Sequence, residues 1–368
     1  MSSANPALAQ FIRSIPLFSL VDDADLNDVL RLFRPVELSS GDVLFGEGDP
    51  GKAMWILGEG AEVSIATTAG QNRPVVVAYA KKGDVVGEMA LVDDGPRSGT
   101  AMVTQGGPAH QIDANEFHAM RASFVPAAFK VLRKIAVDLC YRLRHTNERI
   151  VPAGQAVIET PTLPSGPRPD QAMLDRYPPF RGLPAVVKFA LANKLEVIEL
   201  TEMTPIFAEG EKADGAYFIV DGEVSVGRNG KTLANLPGGT MFGVVACIDS
   251  GLRSASCLTT GPATLLRMRD RDFDQLFQSG HRFAYQIVDL LARQLVQHLR
   301  EANQMLPSPG RAPGAARPHS KPVEKMIEAP PGEADLDVIS TELEVETDLP
   351  LELEVELGQL TPESGLLG

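Results

Sequence analysis

"LFGEGDPGKAMWILGEGAEVSI" (residues 44–65) returns lower in the chain as "IFAEGEKADGAYFIVDGEVSV" (206–226). Residues 44–60 align with 206–222 without a gap. One extra residue, Ala61, follows in the first copy, and a longer loop within 66–82 then separates the two. From Gly83 and Gly239 onward the offset is constant again. It pairs Gly87 with Gly243, Arg97 with Arg253, Phe117 with Phe273 and Asn147 with Asn303. An offset held over that length means two copies of one domain.

Working outward, "GAEVSIATT" (60–68) and "RPVVVAYA" (73–80) have the composition of strands joined by a glycine-containing turn, and Trp55-Ile56-Leu57 is a further short strand. Turns at intervals of roughly ten residues predict an antiparallel barrel or jelly roll. From Phe124 the period changes. Phe129, Leu132, Ile135, Leu139 and Leu143 recur every three or four residues, which predicts a long helix with one apolar face. Phe283, Ile287, Leu290, Leu291, Leu295 and Leu299 repeat the feature in the second copy. Shorter helical lead-ins precede each copy at 25–33 and 184–191. The expected fold is mainly β with flanking helices.

Residues 151–179 and 306–322 are rich in Pro and Gly and are expected to be linkers. The division is then 1–150, a linker over 151–179, 180–305, and a tail over 306–368. Twelve of the 48 acidic residues and none of the 34 basic ones fall in 326–368, so the formal charge of -14 belongs mostly to the tail. Alternating acidic and apolar residues there suit a disordered, solubilising tail. The other reading is a segment that adds a strand to a partner's sheet. The near-neutral body has no basic footprint, so no nucleic-acid partner is expected. No long apolar run or basic leader stands out, so neither a membrane span nor a secretory signal is expected, and the expected location is the cytoplasm. Cys140, Cys247 and Cys257 are too few and scattered for a disulfide framework or a metal site.

"GEGDPG" (46–51) matches a dinucleotide fingerprint, but a strand follows it where a helix must. Glu47 and Asp49 would also repel a pyrophosphate, so it is expected to be a β-turn. No nucleophile elbow, phosphate-binding P-loop or zinc-binding helix motif occurs, and the six histidines have no metal-ligand spacing. Catalysis is therefore not expected.

"GEMALVDDGPRSGTA" (87–101) has a different character. A guanidinium fork, backbone N–H groups and a hydroxyl hold a singly charged phosphodiester well. Arg97, the glycines and Ser98 or Thr100 supply those groups. Gly87 permits close backbone approach, and "EMALV" is long enough for one helical turn whose N–H groups face an anion. Glu88 would repel phosphate, but suits a ribose hydroxyl as acceptor. The features together describe a sugar phosphate with a free 2′-OH. The plain alternative is a Glu–Arg ion pair on a turn.

This stretch resembles the phosphate-binding cassette of cyclic nucleotide-binding domains, and the "LFGEGDPGKAMWIL" segment and long trailing helix are similar to the same family. The resemblance covers roughly 15–150 and 180–305. It implies two tandem eight-stranded β-rolls flanked by helices. It also implies that Glu88 takes the ribose 2′-OH and Arg97 the cyclic phosphate, with Gly87, Met89, Ala90 and Ser98 lining the loop. "CYRLRHTNERI" (140–150) is similar to the stretch of catabolite activator protein that contacts adenine, which puts Thr146 and Asn147 at the base. The tandem order resembles the regulatory subunits of cyclic AMP-dependent protein kinase. No Arg-Arg-x-Ser or Arg-Arg-x-Ala inhibitor segment occurs before the first copy or in the linker.

The second copy departs from this pattern. Val244 stands for Glu88, Leu252 for Pro96 and Ala302 for Thr146. A lost hydrogen bond to a charged acceptor costs about 1.5–3 kcal/mol, roughly ten- to hundredfold in affinity. Gly243, Val244, Arg253 and Ser254 therefore stand as a lost or altered site. Arg253 lies exposed, pairs with a carboxylate, or holds a different phosphate. The expected function is a non-enzymatic cyclic nucleotide sensor with no cofactor and no metal. Its ligand is cyclic AMP, with cyclic GMP as the alternative because Ser98 follows the arginine directly. Action is expected in trans on a protein effector, and the apolar trailing helices offer a homodimer surface or pack on their own rolls. The rival is an interaction scaffold whose rolls no longer bind nucleotide.

Overall fold

The computed structural model describes residues 6–68, 74–151, 160 and 162–305. The expectations for the Pro-rich and acidic stretches of 306–368 lie outside the described residues. Helices α1 (Pro6–Arg13) and α2 (Leu26–Leu30) lead into the first roll. Its strands are β1 (Arg34–Leu38), β2 (Val43–Phe45), β3 (Ala53–Leu57), β4 (Glu62–Thr67), β5 (Val75–Ala80), β6 (Val85–Val86), β7 (Thr100–Gln105) and β8 (Gly107–Asp113). They form two antiparallel sheets of order β1-β8-β3-β6 and β2-β7-β4-β5. Val63, Val86, Val103 and Leu57 fill the space between them. Asp113 caps α3 (Ala114–Ala122) by accepting from the Asn115 and Glu116 N–H groups. Pro126 then opens the long helix α4 (Pro126–Ile150), where its missing N–H costs nothing.

The second roll repeats the plan. Its strands are β9 (Leu195–Leu200), β10 (Pro205–Phe207), β11 (Gly215–Asp221), β12 (Glu223–Arg228), β13 (Lys231–Pro237), β14 (Met241–Phe242), β15 (Ser256–Thr259) and β16 (Ala263–Arg269). The sheets run β14-β11-β16-β9 and β10-β15-β12-β13, which is the first roll's order strand for strand. Each roll thus has the eight strands that the family resemblance implied.

The stretch expected to be a linker is more structured than its composition suggested. It contains α5 (Gln171–Arg176), capped by Asp170, and α6 (Pro178–Arg181), with prolines in its first turn. Tyr177 and Phe180 are fully buried against Phe218 of the second roll. Proline at a helix start is as regular as proline in a loop, so composition alone misled. The lead-in to the second roll, α7 (Ala185–Ala192), follows.

The rolls are followed by their trailing helices, α4 and, beyond α8 (Val244–Ile248) and α9 (Asp270–Gln278), α10 (Arg282–Gln304). These two helices pack on one another. Phe129 stacks on Tyr285 with ring centroids 3.9 Å apart near their starts. Thr146 meets Asn303 near their ends. Starts touching starts and ends touching ends make the pair parallel. Phe129 and Tyr285 are equivalent positions of the repeat, so the contact lies on a pseudo-two-fold between the copies. The apolar faces expected to serve a homodimer are buried inside the chain, one against the other, with Leu132, Leu139, Ile287 and Leu291 in the shared core. That surface is not available to a second copy. The physical reason is supply: one chain carries both halves of the pair.

Candidate functional site

The cassette leaves β6 through Gly87, whose φ of 85° lies in the left-handed region. A β-carbon there would sit 2.6 Å from Arg97 Nη1, so the arginine reaches its place only past a glycine. The expected turn forms as a short 3-10 helix, Glu88–Leu91, with Ala90 buried. Arg97 is 8% exposed. Its Nη1 donates to the Gly87 carbonyl at 2.9 Å and its Nη2 to the Ala53 carbonyl at 2.5 Å. The guanidinium lies over Phe45 at 4.1 Å. Nε is buried with no partner. Among the described residues no carboxylate lies within 4 Å of Arg97. Burial lowers its pKa, opposed by the more distant charges of Glu88 and Asp49. It is a buried cation with capacity left for an anion.

Beside it opens a cavity of about 260 Å³. Gly87, Glu88, Met89, Ala90, Arg97 and Ser98 all line it. Glu88 is not free: its Oε1 accepts from Arg142 Nη1 of α4 at 2.6 Å. Glu88 in turn holds the Arg142 guanidinium above its ordinary range. Thr100 does not join the site, because its hydroxyl accepts from the Glu47 N–H at 3.0 Å and so anchors the neighbouring turn. That turn is the "GEGDPG" segment, which bonds to Arg97 through its own backbone and precedes β3, not a helix.

Thr146 and Asn147 are placed differently from expectation. Neither lines the first cavity. Thr146 is buried against α10, and Asn147 lines a cavity of the second roll. The parallel pairing of α4 with α10 turns this end of the helix across the molecule. In exchange, α10 sends Arg300 to the first cavity. Arg300 grips Asp93 of the cassette with two bonds of 2.6 and 2.7 Å. The reciprocal contact exists too. Arg144 of α4 holds Asp249 of the second cassette through bonds of 2.8 to 3.0 Å and donates to the Leu252 carbonyl. Arg142, Arg300 and the two aspartates escaped the sequence reading. For all but Arg142, which the repeat pairs with His298, the signal was available: Arg144 and Arg300, like Asp93 and Asp249, sit at the constant offset of the repeat.

The second cassette keeps the frame and changes the charge. Gly243 has φ 75° and precedes α8. Arg253 is 2% exposed, and donates to the Gly243 and Gly215 carbonyls, the counterparts of Gly87 and Ala53. It lies over Phe207 at 3.9 Å. Unlike Arg97, it also pairs with a carboxylate, Asp214 Oδ1, at 2.5 Å. Asp214 also accepts from the Tyr217 hydroxyl. The repeat places Lys52 at that position in the first roll. Of the three fates left open for Arg253, the structure realises the ion pair. Val244 is buried and apolar. Ser254 lines the cavity with Gly243, Val244 and Arg253.

Among the described residues no three His, Cys, Asp or Glu side chains converge to hold a metal ion. None of the described helices is long and apolar enough to cross a membrane. The three cysteines are free thiols.

Residues 35–124 and 197–279 match the cyclic nucleotide-binding domain family. Over 304 residues the chain is 23% identical to a cAMP-dependent protein kinase type II regulatory subunit of Drosophila melanogaster, covering 81% of this chain and 69% of the relative. Over 134 residues it is 26% identical to a CRP-like cAMP-activated global transcriptional regulator of Mycobacterium tuberculosis, covering 36% of this chain and 58% of the relative. The regulatory domain of Toxoplasma gondii PKA, solved with cAMP, is similar at 20% identity and a TM-score of 0.30, over 79% of this chain and 96% of that one.

Proposed function

Residues 35–124 and 197–279 are two cyclic nucleotide-binding domains, and from that premise we propose that the chain is a cytoplasmic, non-enzymatic sensor that takes cyclic AMP in its first domain and acts on a protein partner in trans. The observation that carries this reading is Arg97. A buried guanidinium with an unpartnered Nε and no carboxylate within 4 Å among the described residues suits one phosphodiester charge. Glu88 stands beside it as the acceptor for the ribose 2′-OH. Cyclic AMP is preferred to cyclic GMP on the names of the relatives, several of which carry cAMP. The relatives named for cAMP-dependent protein kinase are its regulatory subunits, in keeping with a regulator over an enzyme.

The route of the signal follows from Glu88. Its carboxylate is held by Arg142 on α4. A ribose hydroxyl competes for the same oxygens, so ligand and helix arginine contend for one acceptor. The ligand can bias only states to which it binds with different affinity. The Arg142-released state is the one it favours. Release frees α4 to shift against α10, to which it is packed along its length.

Calorimetry on the full chain tests this. Cyclic AMP is expected to bind, and Glu88→Ala to weaken it by about ten- to hundredfold, while a 2′-deoxy analogue binds wild type and Glu88→Ala alike. Equal weakening of both ligands removes the ribose role. No heat with any cyclic nucleotide at millimolar concentration removes the sensor and leaves the scaffold.

A further inference from the structure

The second roll, with α4 and α10, lines a half-open cavity of about 120 Å³ whose chemistry is not that of the first. Its walls are Phe207, Phe242, Leu233, Leu236 and Ala255 from the roll, closed by Leu143 of α4. The cationic end already has a carboxylate beside it. Arg253 carries its own counter-ion in Asp214, and the acceptor that would read a sugar is replaced by buried Val244. Arg253 keeps an unpartnered Nε, but the carboxylate of Asp214 beside it offsets the cation that an entering phosphate would meet. The anion therefore meets a repulsive charge where the first roll has Lys52. A neutral apolar molecule meets none of these costs and gains the aromatic wall. Phe207 and Phe242 lie with ring centroids 5.8 Å apart on that wall. In size the cavity is near the roughly 150 Å³ apolar cavity that accepts benzene in another protein.

We propose that the second domain is a binding site for a neutral aromatic molecule of one or two fused rings, with no phosphate. The polar rim supplies orientation: Glu301 and Asn147 line the mouth, and the Glu301 carboxylate can accept from a ring N–H. Such a ligand touches α4 at Leu143 and Asn147. It therefore contacts the same helix whose Arg142 holds Glu88 of the first site.

Indole is the probe, used on the full chain with leucine and valine methyls labelled for NMR. Its addition is expected to shift the methyls of Leu143, Leu233 and Leu236 and to saturate at one molecule per chain. Ala255→Leu, which puts carbon into the cavity, is expected to weaken indole by at least about tenfold, whereas Arg97→Ala leaves it unchanged. Freeing the arginine makes the converse test. In an Arg97→Ala background, Asp214→Asn is expected to tighten cyclic AMP about tenfold. Methyl shifts confined to other parts of the molecule overturn the proposal on the wild-type chain alone, even should Ala255→Leu fail to fold. So does a second cyclic AMP per wild-type chain that Arg253→Ala abolishes. The indole result stands apart from the sensor reading: a chain that ignores every cyclic nucleotide yet takes indole in the second roll would lose the latter and keep the former.

Discussion

Arg97 and Arg253 make the same two carbonyl contacts and lie on equivalent phenylalanines, yet only one has a carboxylate within 4 Å among the described residues. A single position, Lys52 against Asp214, separates a cation ready for an anion from one already paired. Truncating a buried charged contact to a ligand costs about 2–5 kcal/mol. Arg97→Ala is therefore expected to weaken cyclic AMP by about a hundredfold or more by calorimetry, and Arg253→Ala to leave that affinity within about twofold. Equal losses would mean that both rolls hold the nucleotide. Gly87→Ala tests the geometry, since a side chain at φ 85° is strained and its β-carbon meets Arg97. Melting should reveal a loss of about 1–2 kcal/mol together with weakened binding; unchanged binding would show that Arg97 need not sit where it does. The convergence of Gly87, Glu88, Arg97 and Ser98 on one cavity was legible in the sequence because it is local, a loop of a dozen residues with complementary chemistry. Asp214 was not legible, because it meets Arg253 only after β10 and β15 pair.

At the scale of elements, α4 and α10 carry the inter-domain contacts. The apolar stripe of each was plain in its spacing. What that stripe packs against was not, because periodicity specifies a face and not a partner. Thr146 and Asn147 were misplaced for this reason, and Arg300 was missed for the same one. Arg300–Asp93 and Arg144–Asp249 are mutual clasps, each helix gripping the opposite domain's cassette. Partly buried, bidentate pairs couple more strongly than surface pairs. A double-mutant cycle with Arg300→Ala and Asp93→Ala, read by urea unfolding, should give a coupling energy of about 1–3 kcal/mol. Arg300→Lys should recover little of it, since an ammonium cannot make the two-pronged contact. Additive single losses would mean that the clasp has no energetic existence in solution.

For the whole molecule, the repeat decided the architecture: two rolls of one topology joined by their trailing helices. Acid sensitivity is likewise distributed over both halves. His110 is set among the Phe11 and Phe33 rings, and burial holds its pKa below the ordinary value. His118 bonds the Ala90 carbonyl under the first cassette; burial and then Arg121 lower it, against Asp94. His298 lines the second cavity, and burial lowers it against Glu301. The sign follows from linkage. The unfolded chain takes up these protons near pH 6.5, while the folded chain resists until lower pH, so acidification through that window favours unfolding. The carboxylates held low in the fold, such as Glu196 between Arg267 and Arg269, add their own loss only below about pH 4.5. The melting temperature is therefore expected to fall between pH 7 and pH 5, ahead of the carboxylate titration. His110→Phe, which keeps the aromatic contacts and removes one proton site, should make that fall shallower. A melting temperature level across the window would show that these imidazoles bind protons as readily folded as unfolded, and that their burial is relieved by water.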